Sequence, residues 1–374
     1  MVKAYLDEQL ATGIQAKTLQ EYETALARFV GFTQNAPVAD IKLAQIKGFR
    51  EALKNYPVRL DASQAEMTFQ QLTATKPTNP LSISTINKHL TRISQLYHWA
   101  AKNDFDVRAD LADDLALKDT RKDSEQRDRY EQDEITGLFS TPDFQGSQTF
   151  AKAAYYWAPL ISLHTGMRIE EICQLRVKDV RTDKDSGIAF FDVNDEEDDR
   201  KLKPGQFNAR IIPVHSKLIE LGLLDFVEVL RKAKQRMLFP TLNRHPKNGF
   251  SHAVTKWFSE HKSQLGFGKT HTFHSFRHTV ADTLKQTVTE ESLINAIMGH
   301  TGGSQSITRY GKGYKPEVLT PVIEKIRFDL PTKPFAQCQF AATEKRAWRS
   351  PEFAQQIRAK RLADRNGHPS TGTS

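Results

Sequence analysis

The chain has 374 residues, which is enough for two or more domains with sizeable hydrophobic cores. Its formal net charge of +8 is compatible with a polyanionic partner, and its two cysteines exclude a disulfide framework or a zinc site built on C-x-x-C pairs. It has no apolar run of membrane-spanning length and no signal-peptide pattern at the N-terminus, so we expect a reduced, intracellular setting.

Residues 1–120 predict a small helical bundle. Apolar residues recur with the period of a helix near residues 19–30, 43–53 and 83–97. Ser82 and Ser84 are alternative N-caps for the third of these helices. Segment 57–80 is mostly polar with three prolines, which predicts a long loop around a short helix at most.

A charged linker separates this bundle from the rest of the chain. Residues 118–132 read KDTRKDSEQRDRYEQ, with almost no apolar residue and charges of both signs. We therefore expect a linker at 121–132, a domain boundary near 120–128 and a second domain over 133–326.

The second domain is predicted to be mainly α with a small antiparallel β-sheet. Helical patterns cover 133–140, 151–164, 216–234, 251–265 and 318–326. Two β-type runs at 187–193 and 208–214 flank the excursion DEEDDRKLKPGQF, which predicts a long hairpin tip. Gly222 interrupts the pattern of the 216–234 helix.

Residues 327–374 predict a C-terminal tail. Two prolines between Asp329 and Pro334 favour an extended stretch, and the last eight residues have low complexity. A helix at 350–363 has only a narrow apolar edge, too small to hold it folded alone. This segment is either a mobile, charged appendage or a helix that needs a partner surface.

Two stretches carry residues suited to phosphoryl transfer. In HTGMRIEEICQL, residues 164–175, Arg168 follows a turn and begins a helix. In HTFHSFRH, residues 271–278, His274 and Arg277 stand three apart and therefore lie on one face of a helix. Arginines can fork onto phosphate oxygens and histidines can donate hydrogen bonds to them.

A candidate nucleophile follows downstream. An apolar run ends at Gly299-His300, which is typical of a helix C-terminus, and Tyr310 lies ten residues beyond His300 in a short polar segment. A tyrosine on such a segment can attack phosphorus. Tyr314 is the rival nucleophile.

In order and spacing these stretches resemble the tyrosine recombinases of the phage integrase family. The form T-G-x-R-x-x-E is matched by Thr165, Gly166, Arg168 and Glu171. The form H-x-x-R-H-x-x-A is matched by His274, Arg277, His278 and Ala281, and the G-H pair and nucleophile by Gly299, His300 and Tyr310. The resemblance spans roughly residues 127–325, and four boxes in register are specific.

The resemblance implies a site-specific DNA recombinase that acts as a homotetramer on paired sites in double-stranded DNA. Its catalytic residues would be Arg168, Lys203, His274, Arg277, His300 and Tyr310, with Lys201 as the rival lysine. It implies strand transfer through a 3′-phosphotyrosyl intermediate and a Holliday junction, without a metal or other cofactor. It places the protein in the cytoplasm at the nucleoid, with an accessory DNA-bending protein as a further candidate partner.

The resemblance also gives roles to the two terminal segments. Residues 1–120 would be a core-binding domain that grips DNA, and its third helix presents a polar side with Thr85, Asn87, Lys88, Thr91 and Arg92. Each of these is as well explained as part of an ordinary solvated face. The helix at 350–363 would dock on a neighbouring protomer.

Several alternatives stand beside these assignments. The i, i+4 pair His274 and His278 has a spacing used for zinc, but Arg277 beside it would repel a cation, so His278 is expected to support the site. Glu171 is expected to orient an arginine or cap its helix. The rival functions are a catalytically idle DNA-binding protein of the same fold and a type IB topoisomerase.

Overall fold

The computed structural model describes residues 1–120, 128–197, 200, 202, 209–299 and 313–366. Contacts divide the chain into two compact units, Met1–Arg121 and Lys122–Ser374. Each unit has a hydrophobic core of its own. Within the described residues, no helix combines the length and the apolar character that crossing a bilayer requires.

The first unit is a helical bundle. Its helices are α1 (Val2–Ala11), α2 (Ala16–Thr33), α3 (Leu43–Leu53), α4 (Phe69–Ala74) and α5 (Ile83–Lys102). Leu26, Phe49 and Ile93 are fully buried at its centre. The Ser82 hydroxyl accepts the Thr85 backbone N–H at 3.2 Å, so Ser82 is the N-cap of α5. The predicted helical fold is confirmed.

The second unit is mainly α with a small antiparallel sheet, as predicted. Its helices are α6 (Gln132–Phe139), α7 (Ala153–Thr165), α8 (Ile169–Cys173), α9 (Ser216–Glu220), α10 (Leu223–Lys232), α11 (His252–Gln264), α12 (His274–Thr287), α13 (Glu291–Met298), α14 (Pro316–Ile323), α15 (Ala342–Arg349) and α16 (Pro351–Asn366). Its strands are β1 (Thr149–Phe150), β2 (Val180–Thr182), β3 (Ala189–Val193), β4 (Arg210–Pro213) and β5 (Gln339–Phe340).

Strands β2, β3 and β4 form one antiparallel sheet in that order. Val180 pairs with Phe191, and Phe190 pairs with Pro213. Four of the five residues of β3 are buried and only Asp192 is partly exposed, so this strand is covered on both faces over most of its length. Strand β2 was not predicted, because three residues are too few to show a strand pattern.

The helix predicted over 216–234 is two helices. Gly222 has φ +93° and lies between α9 and α10, at the position from which the second helix begins. This backbone conformation is open to glycine at little cost, so the interruption of the apolar pattern marks a real break.

The core of the second unit continues well past residue 326, where the sequence analysis ended the domain. Phe335, Phe340 and Trp348 belong to the same cluster as the buried helix α7. The ring of Phe335 stacks on Trp157 with centroids 5.2 Å apart, and β5 pairs in parallel with β1. Residues 327–349 are therefore part of the domain, because they cover one side of its core.

Helix α7 organises the unit. It is apolar all round and nearly every residue in it is buried, which is typical of a helix that crosses the middle of a core. Helices α8 and α12 pack against it. As a result, the two motif-bearing stretches, far apart in sequence, meet at the C-terminal end of α7.

Candidate active site

The site begins at the turn that ends α7. Gly166 caps the helix with φ +67°, and its N–H binds the Ser162 carbonyl at 2.8 Å. A Cβ at Gly166 would lie 2.6 Å from the sulfur of Met298. The turn therefore needs glycine for both its backbone conformation and the close approach of α13.

Arg168 is the N-cap of α8 and is bound to Glu171 twice. Its backbone N–H donates to Oε2 at 2.9 Å, and its Nη1 donates to Oε1 at 2.7 Å. Its Nη2 lies 3.5 Å from the Gly299 carbonyl oxygen. The side chain is 19% exposed, so part of it is open to solvent.

Glu171 is held as a carboxylate in a buried position. Burial by itself would raise its pKa, but the charges and hydrogen bonds of Arg210 and Arg168 outweigh that effect and lower the pKa to about 2. A carboxylate with so low a pKa is ionised at neutral pH and is a poor proton acceptor. Glu171 both binds the Arg168 guanidinium and accepts the N-cap backbone N–H of α8, and its part in a reaction stays a prediction.

Arg277 lies on the first turn of α12 and is almost completely buried. Its Nη1 donates to the Gly166 carbonyl at 2.6 Å, and its Nη2 donates to the Met298 carbonyl. Burial, with repulsion from Arg168 and Arg210, lowers its pKa to about 9. The guanidinium remains positively charged at neutral pH.

Arg210, the first residue of β4, completes the group and was not among the predicted site residues. Its Nη2 donates to Glu171 Oε2 at 2.8 Å, and its Nε donates to the Ile297 carbonyl at 2.7 Å. In the sequence it appears only as the arginine of R-I-I-P after a polar excursion. The sequence feature that could have indicated Arg210 is a positively charged residue at the start of an otherwise apolar strand.

Three arginines thus meet the end of α13. The carbonyls of Ile297, Met298 and Gly299 face Arg210, Arg277 and Arg168, in that order. Cations are favoured at a helix C-terminus, where the last carbonyls lack helical partners. With Glu171 as their carboxylate partner, the three guanidinium groups leave an excess of positive charge that suits a bound anion.

The histidines lie beside this group. His274 and His278 are both partly buried, with ring centroids 4.9 Å apart and planes nearly perpendicular. His271 faces carboxylates instead: its Nε2 lies 3.3 Å from Glu134 and its Nδ1 3.8 Å from Asp128. The described residues contain no group of three or more His, Cys, Asp or Glu side chains placed to hold a metal ion.

Several predicted site residues lie outside the described residues. These are Lys203 and its rival Lys201, His300 and Tyr310. The rival nucleophile Tyr314 is described: its hydroxyl donates to the Ser292 hydroxyl at 3.1 Å, and its ring packs against the core. Tyr314 is therefore anchored by its side chain, and Tyr310 stays the predicted nucleophile with Tyr314 as its rival.

Comparison with known proteins decides the family. The model of the phage integrase family matches residues 129–315, half of the chain. The chain belongs to the phage integrase family. The matched range includes every arginine and histidine of the site just described.

Solved structures share the fold of this family member. A Tn1549 transposon integrase in complex with circular intermediate DNA is 17% identical with a TM-score of 0.55, covering 84% of this chain and 96% of that one. A lambda integrase tetramer bound to a Holliday junction is 14% identical with a TM-score of 0.52, covering 81% and 77%. The XerH site-specific recombinase in a post-cleavage complex is 17% identical with a TM-score of 0.53, covering 78% and 75%. No curated protein sequence gave a match.

On the polar side of α5 in this integrase, some residues bind other parts of the first unit and others are exposed to solvent. The Asn87 amide donates to the Leu117 carbonyl and accepts the Leu117 N–H, both at 2.8 Å. Arg92 lies over the ring of Tyr22 at 4.1 Å and donates to its hydroxyl at 3.1 Å. Lys88 and Thr91 are exposed, and Thr85 is partly buried beside the Ser82 cap. Asn87 therefore fastens the end of the first unit, and Lys88 and Thr91 are the two candidates that are exposed.

Proposed function

We propose that this integrase is a site-specific recombinase that cuts and rejoins double-stranded DNA as a tetramer on paired sites, through a 3′-phosphotyrosyl intermediate and a Holliday junction. The observation that carries the proposal is the placing of Arg168 and Arg277 at one point with an excess of positive charge. The lambda integrase tetramer on a Holliday junction and the post-cleavage XerH complex share its fold, which supports the proposal.

The arginines would stabilise the charge that develops in the reaction. A phosphodiester gains negative charge on its non-bridging oxygens as a fifth oxygen approaches phosphorus. Arg168 has an exposed part that can meet those oxygens, and Arg277 holds the α7 and α13 ends that frame them. Losing one such stabilising group raises a reaction barrier by about 3–4 kcal/mol.

The other predicted catalytic residues would form the new bond and move the protons. The Tyr310 oxygen forms a bond to phosphorus while the bond from phosphorus to the 5′ oxygen breaks. His274 and His300 assist removal of the phenol proton, which has a pKa of about 10 in water. Lys203 supplies a proton to the leaving 5′ oxygen. The phosphotyrosyl link conserves the energy of the broken bond, so rejoining needs no nucleotide cofactor.

The first unit and the accessory partner belong to the proposal as well. Residues 1–120 would act as the core-binding domain, with Lys88 on the exposed side of α5 as a phosphate contact. A DNA-bending accessory protein and a location at the nucleoid remain predictions.

The test of the proposal is covalent attachment to DNA. Purified protein is incubated with sheared genomic DNA of the source organism, and complexes that survive sodium dodecyl sulfate are recovered and sequenced. We expect one recurrent sequence to be enriched, and a nicked duplex with that sequence to trap the protein at its 3′ phosphate. Binding without any adduct would show a catalytically idle protein. Relaxation of plasmids without site preference would show a topoisomerase.

Tyr310→Phe tests the nucleophile, and Tyr314→Phe is its matched control. Tyr310→Phe should bind the recovered duplex as the unaltered protein does and form no adduct, because the attacking oxygen is gone. Tyr314→Phe loses only the hydrogen bond to Ser292 and should still form the adduct. The reverse pattern on denaturing gels would assign the reaction to Tyr314.

A further inference from the structure

Arg210 joins three elements of the site without facing outward. It begins β4, binds Glu171 on α8 and binds the Ile297 carbonyl on α13. Its side chain is only 6% exposed, compared with 19% for Arg168. A side chain so enclosed is less open to DNA than that of Arg168. Like the buried Arg277, it holds chain segments that frame the site.

We propose that Arg210 is a positioning residue for strand cleavage: it holds Glu171 as the carboxylate that fixes Arg168, and it fixes the end of α13. This inference rests on the proposed function. It gives β4, through Arg210, a positioning role that differs from the roles of Arg168 and Arg277 in the motifs.

The first part of the argument concerns Glu171. Both of its oxygens serve Arg168, Oε1 through the guanidinium and Oε2 through the backbone N–H. The carboxylate is buried, which raises its pKa, and the charges and hydrogen bonds of Arg210 and Arg168 together outweigh that effect. Among the described residues the charged groups that face it are Arg168, Arg210 and Arg277. Its neighbour Glu170 points away and accepts the backbone N–H groups of Phe250 and Ser251, each at 2.8 Å.

The second part concerns α13. The Ile297 carbonyl lies in the last turn of α13, where carbonyls have no helical partner, and Arg210 Nε binds it at 2.7 Å. The next two carbonyls face Arg277 and Arg168. Arg210 therefore restrains both the residue that fixes Arg168 and the helix end that Arg168 approaches. Its loss should misplace Arg168 while leaving the Arg168 side chain present.

The experiment compares Arg210→Met and Arg210→Lys with the unaltered protein on the nicked duplex recovered above, from pH 4 to pH 8. Lys152→Met is the matched control. It also removes a buried cation of this unit, but Lys152 precedes α7 at the end opposite Gly166, about 20 Å from the site along the helix. Arg210→Met with Glu171→Gln is the fourth variant.

We expect Arg210→Met to cleave about 100-fold more slowly at neutral pH, because a small misplacement of a reacting group has an effect of that size. The ratio of its rate to that of the unaltered protein should fall further as the pH is lowered. Without Arg210 the pKa of Glu171 rises, by about 1–3 units for one neighbouring charge, so the carboxyl is protonated in a range where the unaltered protein keeps it ionised. Arg210→Lys keeps the charge and should show a smaller slowing.

The controls separate positioning from stability. The ratio of the Lys152→Met cleavage rate to that of the unaltered protein should not change between pH 4 and pH 7. When Glu171→Gln is added to Arg210→Met, the corresponding ratio should no longer depend on pH. Unchanged cleavage by Arg210→Met, or an equal loss at every pH, would overturn the proposal.

If the unaltered protein forms no adduct, the proposed function fails instead. Thermal unfolding then tests the contact of Arg210 with Glu171 by itself. The Tm of Arg210→Met should lie below that of the unaltered protein at neutral pH, and this difference should narrow in acid. A difference that stays the same in acid would overturn the proposed contact.

Discussion

At the residue scale, the motifs predicted Arg168 and Arg277, which the structure brings together, but gave no sign of Arg210, the third arginine of the group. Arg168 and Arg277 stand in boxes with fixed spacing, so their types and positions are visible in the sequence. Arg210 is set by contacts with residues 39 and 87 positions away. Local spacing carries no signal for such contacts, and only the packing of β4 against α8 and α13 shows them.

The same residues predict how the site responds to metal ions. Glu171 is the carboxylate partner of Arg168 and Arg210, and its oxygens already accept from both, whereas Arg277 binds backbone carbonyls. Among the described residues, a divalent cation at this point would meet an excess of positive charge and no open carboxylate. We expect covalent adducts to form at an unchanged rate in excess chelator, measured on denaturing gels with added Mg²⁺ as the comparison. Loss of cleavage in chelator with rescue by a divalent ion would contradict this.

At the scale of elements, the sequence predicted the long helices well and the C-terminal segment poorly. Helices such as α5 and α11 have amphipathic patterns that a sequence shows directly. Residues 335–349 are instead fixed by aromatic packing on α7 and α10, for example Trp348 on Phe226 with centroids 5.4 Å apart. Two prolines upstream suggested an extended reach, but the aromatic residues after them hold the segment on its own unit.

This packing leads to a prediction about truncation. Ending the chain after Lys333 removes Phe335, Phe340 and Trp348, and burying each such side chain stabilises a fold by about 1.5–3 kcal/mol. Their sum is comparable to the whole stability of a typical domain. We expect this truncation to unfold the second unit or to lower its Tm strongly in calorimetry.

Ending the chain after Ser350 is the matched control, because it removes only α16 and the residues beyond. It loses the contact of Arg361 with the Thr241 carbonyl at 3.2 Å and the burial of Ala354, a much smaller set. The Tm should fall only slightly. The predicted docking of α16 on a neighbouring protomer can be tested with this variant, by gel shifts on one-site and two-site DNA. An unchanged Tm after the Lys333 truncation would show that the aromatic cluster does not hold the core.

At the scale of the whole molecule, the chain consists of two units with separate cores. The sequence placed the boundary near 120–128 because charged residues replace apolar ones there, and the contacts divide the chain at Arg121 and Lys122. Composition was sufficient for this because each unit buries its own apolar residues. The fold class was predictable as well, since mixed helical and β-type runs were sorted correctly between the two units.

The hydrogen bond that anchors Tyr314 bears on which protomer would supply the tyrosine for cleavage at a given site. Its hydroxyl binds Ser292, and Gly299, which caps α13, lies seven residues on from Ser292, about 10 Å along the helix axis. Four residues of extended chain span up to about 13 Å, which is the tether available to Tyr310 from this anchor. So short a tether to a residue that packs on its own unit favours cleavage at the arginines of the same chain.

We accordingly expect each protomer to cut with its own tyrosine. Tyr310→Phe lacks the attacking oxygen, and Arg277→Lys disturbs the pocket, so each should be inactive alone. When the two are mixed, with tags of different size, cleavage within one chain predicts no adduct above the levels of the separate proteins. An adduct carried by the Arg277→Lys chain would mean that one subunit lends its nucleophile to another, and that every active site is assembled from two chains.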